Sequence, residues 1–182
     1  MGNGADRRLF WFTTLGVVTA DLITKIVAVA TLAARPHPIV GDYAVLRLVY
    51  NEGAAFGISL GPASRWIFLC LALIALVVLG AMVRATKPGD TLRLLALSLV
   101  CGGAAGNLLD RIRSAQGVVD FIEVGIGPHR FPTFNVADSA ITIGAIALAF
   151  SLWLEGRHVM HAAPVPPPPP PDAAKEAGAA TP

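Results

Sequence analysis

The stretch Trp66–Val83, "WIFLCLALIALVVLGAMV", runs for eighteen residues without a charge. At 1.5 Å per residue it extends about 27 Å, close to the roughly 30 Å hydrocarbon thickness of a bilayer. A helix on a soluble domain keeps a polar face, and this segment has none. It is predicted to cross a membrane. Three further segments approach the same length: Leu9–Ala34, Leu92–Leu109 and Ala137–Leu154. The whole chain agrees, with 54% hydrophobic and 14% charged residues among 182 and a mean hydropathy of +0.64. Soluble domains carry about a quarter charged residues. The expected fold is therefore an all-α polytopic membrane protein with four transmembrane helices in one domain, residues 9–155.

The flanks read differently. Residues 1–8 are predicted to be a cytoplasmic arm, and residues 156–182, containing "APVPPPPPPDAAKEAGAATP", a Pro-rich disordered tail. Arg7 and Arg8 followed by "LFWFTTLGVVTA" imitate a secretory signal. The apolar pattern nevertheless continues through Asp21 and Lys25 as one long helix, which argues for a retained span. A net charge of +2 with no basic cluster carrying interleaved aromatics excludes nucleic acid as a partner. Cys70 and Cys101 lie inside apolar segments without C-x-x-C spacing, and the four histidines are scattered. Neither a metal site nor a cofactor is expected.

Topology orders the polar residues. Asp21 lies about 18 Å along the first helix and Lys25 about 24 Å along it, both past its midpoint. The third span runs parallel to the first and ends in "GNLLDRIR"; the fourth starts from that side with Asn135 and Asp138. Asp21, Lys25, Asn107, Asp110, Arg111, Asn135 and Asp138 are thus predicted to reach one membrane face. Lys and Arg near the span ends are nearly balanced between the two sides. Discounting the arginines of the polar cluster places both termini in the cytoplasm and the cluster outside. Two connections on that outer side, "YAVLRLVYNEGAAFGI" and "GVVDFIEVGIG", are strand-like and predict a small extracytoplasmic β-element.

Ionisable groups in a span cost at least about 2.5 kcal/mol each, so each asks for a reason. Asp21 and Lys25 stand four residues apart and can neutralise one another as a structural pair. Asp110 and Arg111, adjacent, read as a charge pair orienting the following loop. "GGAAG" sets Gly102 and Gly106 at G-x-x-x-G spacing, which permits close helix contact, and it lacks the Lys of a phosphate loop. Asp120 and Asp138 have no basic neighbour within four residues. If they meet across a cleft they cannot both ionise easily, and the pair then holds an acid and a base. The plainer reading makes Asp138 a helix cap and Asp120 a solvated loop charge.

Five ordered motifs carry a resemblance: "DLITK" (Asp21–Lys25), "YNEGAAFGI" (Tyr50–Ile58), "GGAAGNLLDR" (Gly102–Arg111), "GVVDFI" (Gly117–Ile122) and "FNVADSAI" (Phe134–Ile141). Together they closely resemble the lipoprotein signal peptidases, the type II signal peptidases of bacteria. The resemblance implies a cofactor-free, metal-free aspartyl endopeptidase of the inner membrane. It would cut diacylglyceryl-modified prolipoproteins before the lipidated cysteine, with membrane lipid as its other partner. It implies Asp120 and Asp138 as the catalytic dyad. Asp21, Lys25, Asn51, Gly53, Asn107, Arg111 and Asn135 match positions that bind substrate or support the site. Two other classes compete. A small transporter or proton relay would spread ionisable residues over several depths, whereas here they gather at one face. A non-enzymatic scaffold gives no reason for two outer acids flanked by asparagines. Other intramembrane aspartyl proteases are disfavoured because no G-x-G-D motif occurs.

Overall fold

A computed structural model describes residues 4–53 and 61–161. Four long helices carry the chain: α1 (Gly4–Leu32), α2 (Ser64–Ala85), α3 (Thr91–Arg113) and α4 (Val136–His161). Four strands occupy the connections: β1 (His37–Val40) and β2 (Ala44–Asn51) after α1, and β3 (Val118–Ile126) and β4 (His129–Arg130) between α3 and α4. All four helices are long and apolar enough to span a membrane. The chain divides into two compact units, Met1–Ser151 and Leu152–Pro182. In the second, the Arg157 guanidinium lies over the Trp153 ring at 5.0 Å.

The helices are longer than their apolar cores. α1 begins at Gly4, inside the stretch read as an arm, because nothing before Leu9 breaks a helix and Asp6 in its first turn suits the helix dipole. α3 continues through Asp110 to Arg113, so those charges sit in its last turn and not in a loop. α4 runs on to His161, three residues short of the first proline of the tail; residues 162–182 lie outside the described residues. The α2–α3 turn stops where Pro88, Gly89 (φ 83°) and Asp90 follow one another, with Asp90 accepting from the Arg93 amide at 3.1 Å.

α3 is the central helix. Over its apolar window 56% of residues are buried, against 22%, 6% and 22% for α1, α2 and α4. Its small residues explain why. A β-carbon on Gly102 would meet Val17 Cβ at 2.8 Å, one on Gly103 would meet the Ala137 carbonyl oxygen at 2.3 Å, and one on Gly106 would meet Asp21 Oδ2 at 2.6 Å. The G-x-x-x-G face thus takes α1 on one flank and α4 on the other, a packing that needs the missing side chains. Large apolar residues such as Phe12, Ile74, Val77, Ile143 and Ile146 point outward and are exposed, as expected where lipid replaces water.

Gly103→Ala is therefore expected to destabilise the fold by about 2–3 kcal/mol, since backbone and not a flexible side chain blocks the new methyl. Gly80→Ala, with open space around its β-carbon, should be neutral or slightly stabilising. Thermal unfolding of both variants in detergent checks the contrast; equal midpoints would refute the packing argument.

The β-element is one antiparallel sheet in the order β1-β2-β3-β4. Strands were predicted from β2 and β3; the short partners β1 and β4 were not. Both close through glycines with positive φ, Gly41 (47°) and Gly127 (55°), which is the signal that marks them as hairpins. β2 and β3 pair with Val49 opposite Asp120 and Asn51 opposite Val118. The Gly-rich turn expected after Asn51 falls mostly on residues 54–60, outside the described residues. Phe121 on β3 packs with Ala28 and Leu32 of α1, which seats the sheet on the end of the bundle.

Candidate active site

Three junctions place the polar residues. The chain entering α4 lies along β3: the Phe134 carbonyl accepts from the Phe121 and Ile122 amides at 3.0 and 2.8 Å, and the Phe134 amide donates to the Ile122 carbonyl at 3.0 Å. Asn135 follows directly and is fully buried. It caps α4 reciprocally, its Oδ1 accepting from the Asp138 amide at 2.8 Å while Asp138 Oδ2 accepts from the Asn135 amide at 3.2 Å. Asp21 adds a cap from another helix, accepting from the Ala137 amide at 2.9 Å. Several orphan amides of the α4 N-terminus are thus satisfied in a setting where water is scarce.

Asp120 sits on β3, 2% exposed. Its Oδ1 accepts from Asn135 Nδ2 at 2.7 Å and its Oδ2 from Asn51 Nδ2 at 3.1 Å. Asp138 Oδ1 accepts from Asn107 Nδ2 at 2.8 Å. Burial, and then the nearby Asp138 charge, raise the Asp120 carboxyl to about 6; the Asn51 and Asn135 donors and Lys25 pull the other way and do not win. The two carboxylates therefore lie close enough to feel each other, joined by Asn135, which donates from its side chain to one and from its backbone to the other. Asp138 is part of a helix cap, as the plainer reading held, and it also faces the same cavity as Asp120. Asp120 is no solvated loop charge.

Lys25 gathers the rest. Its ammonium lies 2.7 Å from Asp21, 2.7 Å from Asp110 and 3.0 Å from Asn107 Oδ1. The Asp21 pairing follows from i,i+4 spacing. The Asp110 pairing corrects the expected link between Asp110 and Arg111: Asp110 turns inward to Lys25 and accepts from the Val119 amide at 3.2 Å. Adjacent residues on a helix point about 100° apart, so neighbours in sequence do not face each other. Arg111 instead donates to the Gly53 carbonyl at 2.8 Å and the Asn107 carbonyl at 3.2 Å, and lies 5.9 Å over the Phe68 ring. The buried Gly53 also donates its amide to Asn51 Oδ1 at 3.0 Å. All nine candidate residues come together at one end of the bundle. Arg65, which donates to the last carbonyls of α3 at Arg111 and Ile112, carried no sequence signal.

Asp120, Asp138, Asn51, Asn107 and Arg111 line a cavity of about 520 Å³ whose other walls are largely apolar, from Phe68, Leu71 and Ala75 on α2 to Ile141 on α4. A small set of polar groups in an apolar cleft of this size is the usual form of a binding site. Among the described residues no three His, Cys, Asp or Glu side chains come together to hold a metal ion.

A cleft lined by two carboxylates thus lies at one end of four helices long and apolar enough to span a membrane, the setting of a membrane protein with a polar site. The family described as signal peptidase (SPase) II matches residues 13–154. A lipoprotein signal peptidase of Rhodococcus jostii is 46% identical over 154 residues, covering 79% of this chain and 72% of its own. One from Treponema denticola is 39% identical over 167 residues, covering 86% and 95%. A solved bacterial membrane enzyme superposes with a TM-score of 0.73 at 30% identity, covering 81% of this chain and 88% of its own. The chain belongs to the signal peptidase II family and has lipoprotein signal peptidase activity.

Proposed function

We propose that Asp120 and Asp138 are the catalytic dyad of an aspartic endopeptidase that removes signal peptides from diacylglyceryl-modified prolipoproteins, cutting before the lipidated cysteine. The observation that carries this reading is the pair itself: two carboxylates from different elements, bridged by Asn135, line one cavity with apolar walls. With one proton shared, the ionised acid takes a proton from water as its oxygen attacks the scissile carbonyl, and the protonated acid gives its proton to the carbonyl oxygen. The tetrahedral diol then collapses, a proton passes to the departing nitrogen, and the pair returns to one proton. The acids supply both proton transfers.

The apolar walls suit acyl chains, while the end of β2 at Asn51 and the Gly53 that follows suit an extended peptide. Arg111, already bound to the Gly53 carbonyl, would hold that segment against α3. The polar end of the bundle is assigned to the extracytoplasmic face of the inner membrane, with both termini in the cytoplasm. Arg7, Arg8, Arg84, Lys87, Arg93 and Arg157 flank the opposite ends of the helices, which favours this orientation.

The test gives purified protein a diacylglyceryl-modified prolipoprotein and its unlipidated form, with and without a chelator, and follows product mass. The expected result is cleavage of the lipidated form alone, before the modified cysteine and unaffected by the chelator. Equal cleavage of both forms would remove the lipid requirement. The pH profile adds a second check. Asp120 is raised to about 6, so the one-proton pair is populated below that value and lost above it. In the free enzyme kcat/KM should fall as pH rises through about 6, while kcat, read with the cleft filled and further desolvated, should fall at higher pH.

A further inference from the structure

Among the described residues, the hydrogen bonds from the scaffold to the two acids run one way. Asp120 Oδ1 and Oδ2 face Asn135 Nδ2 and Asn51 Nδ2, and Asp138 Oδ1 and Oδ2 face Asn107 Nδ2 and the Asn135 amide. An asparagine amide could in principle turn over and present its oxygen. Each of these is held by a group that has only protons to give. The Gly53 amide faces Asn51 Oδ1, the Asp138 amide faces Asn135 Oδ1, and the Lys25 ammonium faces Asn107 Oδ1. An ammonium and a backbone N–H accept no hydrogen bond, so the facing atom must be the oxygen and the NH2 must point at the acid.

We propose that Lys25 is a positioning residue that acts through Asn107: its ammonium locks the Asn107 amide with the NH2 toward Asp138, completing a ring of donors on all four carboxylate oxygens that confines the shared proton to the cleft side of the dyad. The inference rests on the reading of Asp120 and Asp138 as the dyad and gives Lys25 a task beyond neutralising Asp21. Of the donors that face the three asparagine oxygens, Lys25 alone is an ammonium, and it reaches the site from α1. Asn135 Nδ2, with two hydrogens to give, serves Asp120 at 2.7 Å and Asn107 Oδ1 at 3.1 Å and so shares this lock as a neutral, longer contact. Asp21 and Asp110 flank the buried ammonium at 2.7 Å each and hold it in place beside Asn107. The Asn51 and Asn135 donors favour the ionised form of Asp120. Were Asn107 to turn, its oxygen would accept from a protonated Asp138 and the second proton would bind more readily. The charges around the dyad are Asp21 and Lys25 from α1 and Asp110 and Arg111 from α3, besides the two acids themselves.

The variant that isolates this role is Asp21→Asn/Lys25→Met/Asp110→Asn. The asparagine oxygens can still accept from the Ala137 and Val119 amides, Met replaces Lys at similar size, and no lone buried charge remains. It removes one positive and two negative charges, so the site becomes one unit more positive. Of the three charges lost, Lys25 is the one that acts on Asp120, lowering it, so loss of its field moves the acid limb of the kcat/KM profile to higher pH. Release of Asn107 moves it the same way, so the variant is read by the Asn107 side-chain NH2 signal as well, and a signal that stays hydrogen-bonded in the variant overturns the proposal. The expected result is an acid limb about one unit higher, kcat at the optimum down roughly tenfold, and KM within about twofold. An acid limb that stays in place or moves down overturns the proposal.

A measurement on the unaltered protein does not depend on that variant folding. The Asn107 side-chain NH2 signals, followed by NMR in detergent micelles from pH 4 to 8, should keep their hydrogen-bonded shifts throughout. A change marking loss of donation within that range would overturn the lock. This readout needs no cleavage, so a failure of the peptidase reading shows in the product-mass assay and a failure of the lock shows here.

Discussion

Asp120→Asn and Asp138→Asn each lower kcat/KM for a lipidated substrate by at least about a thousandfold, the expected loss when a dyad can no longer hold one acid and one base. Each substitution is nearly isosteric, so insertion and helix packing should survive. Product mass over time, with membrane accumulation as the folding control, measures both. Full cleavage by either variant would end the dyad assignment. Asp120→Asn carries a second signature. The native Asp120 carboxyl is raised from 3.8 to about 6, so the folded protein holds this proton more tightly than the unfolded chain. The stability from this group is complete below about pH 4 and is lost as pH rises toward 6, on the order of 3 kcal/mol. Asn does not titrate, so the variant's melting temperature should lose that decline across the same window. An unchanged pH dependence would mean that Asp120 is not the group responsible.

Asn135→Ala is expected to be the most damaging substitution outside the dyad. It removes the α4 cap, worth about 1 kcal/mol. It also takes the donor from the buried Asp120 Oδ1, about 1–3 kcal/mol for the unmet group. A total of roughly 2–4 kcal/mol follows, with kcat lowered at least about a hundredfold in whatever protein remains folded, because the two acids lose the residue that spaces them. Asn135→Asp separates the two effects. It keeps an acceptor for the Asp138 amide but sets a third carboxylate against Asp120, so helix stability is largely retained while the dyad titration is shifted upward. Thermal unfolding beside kcat/KM reads the two separately. Comparable activity in Asn135→Ala and the native protein would show that Asn135 only caps the helix.

Much of the molecule was legible before any coordinates. Charge-free stretches of bilayer length can satisfy their backbone in lipid only as helices, so "WIFLCLALIALVVLGAMV" and its three companions determined four spans. Alternating span direction then sent Asp21, Lys25, Asn107, Asn135 and Asp138 to one end, and motif order supplied the family. The sequence by itself could not say which of these residues touch. Spacing along one helix pairs Asp21 with Lys25, but it cannot announce that Asp110 turns from its neighbour Arg111 to a lysine 85 positions earlier, nor that Asp21 caps a helix 116 residues away. Those contacts depend on how closely α1 and α4 approach α3 at Gly102, Gly103 and Gly106 and on the register that sets Phe134 beside β3. Local sequence encodes burial and direction. The reach of a hydrogen bond is about 3 Å, and at that scale only packing decides which donor meets which acid.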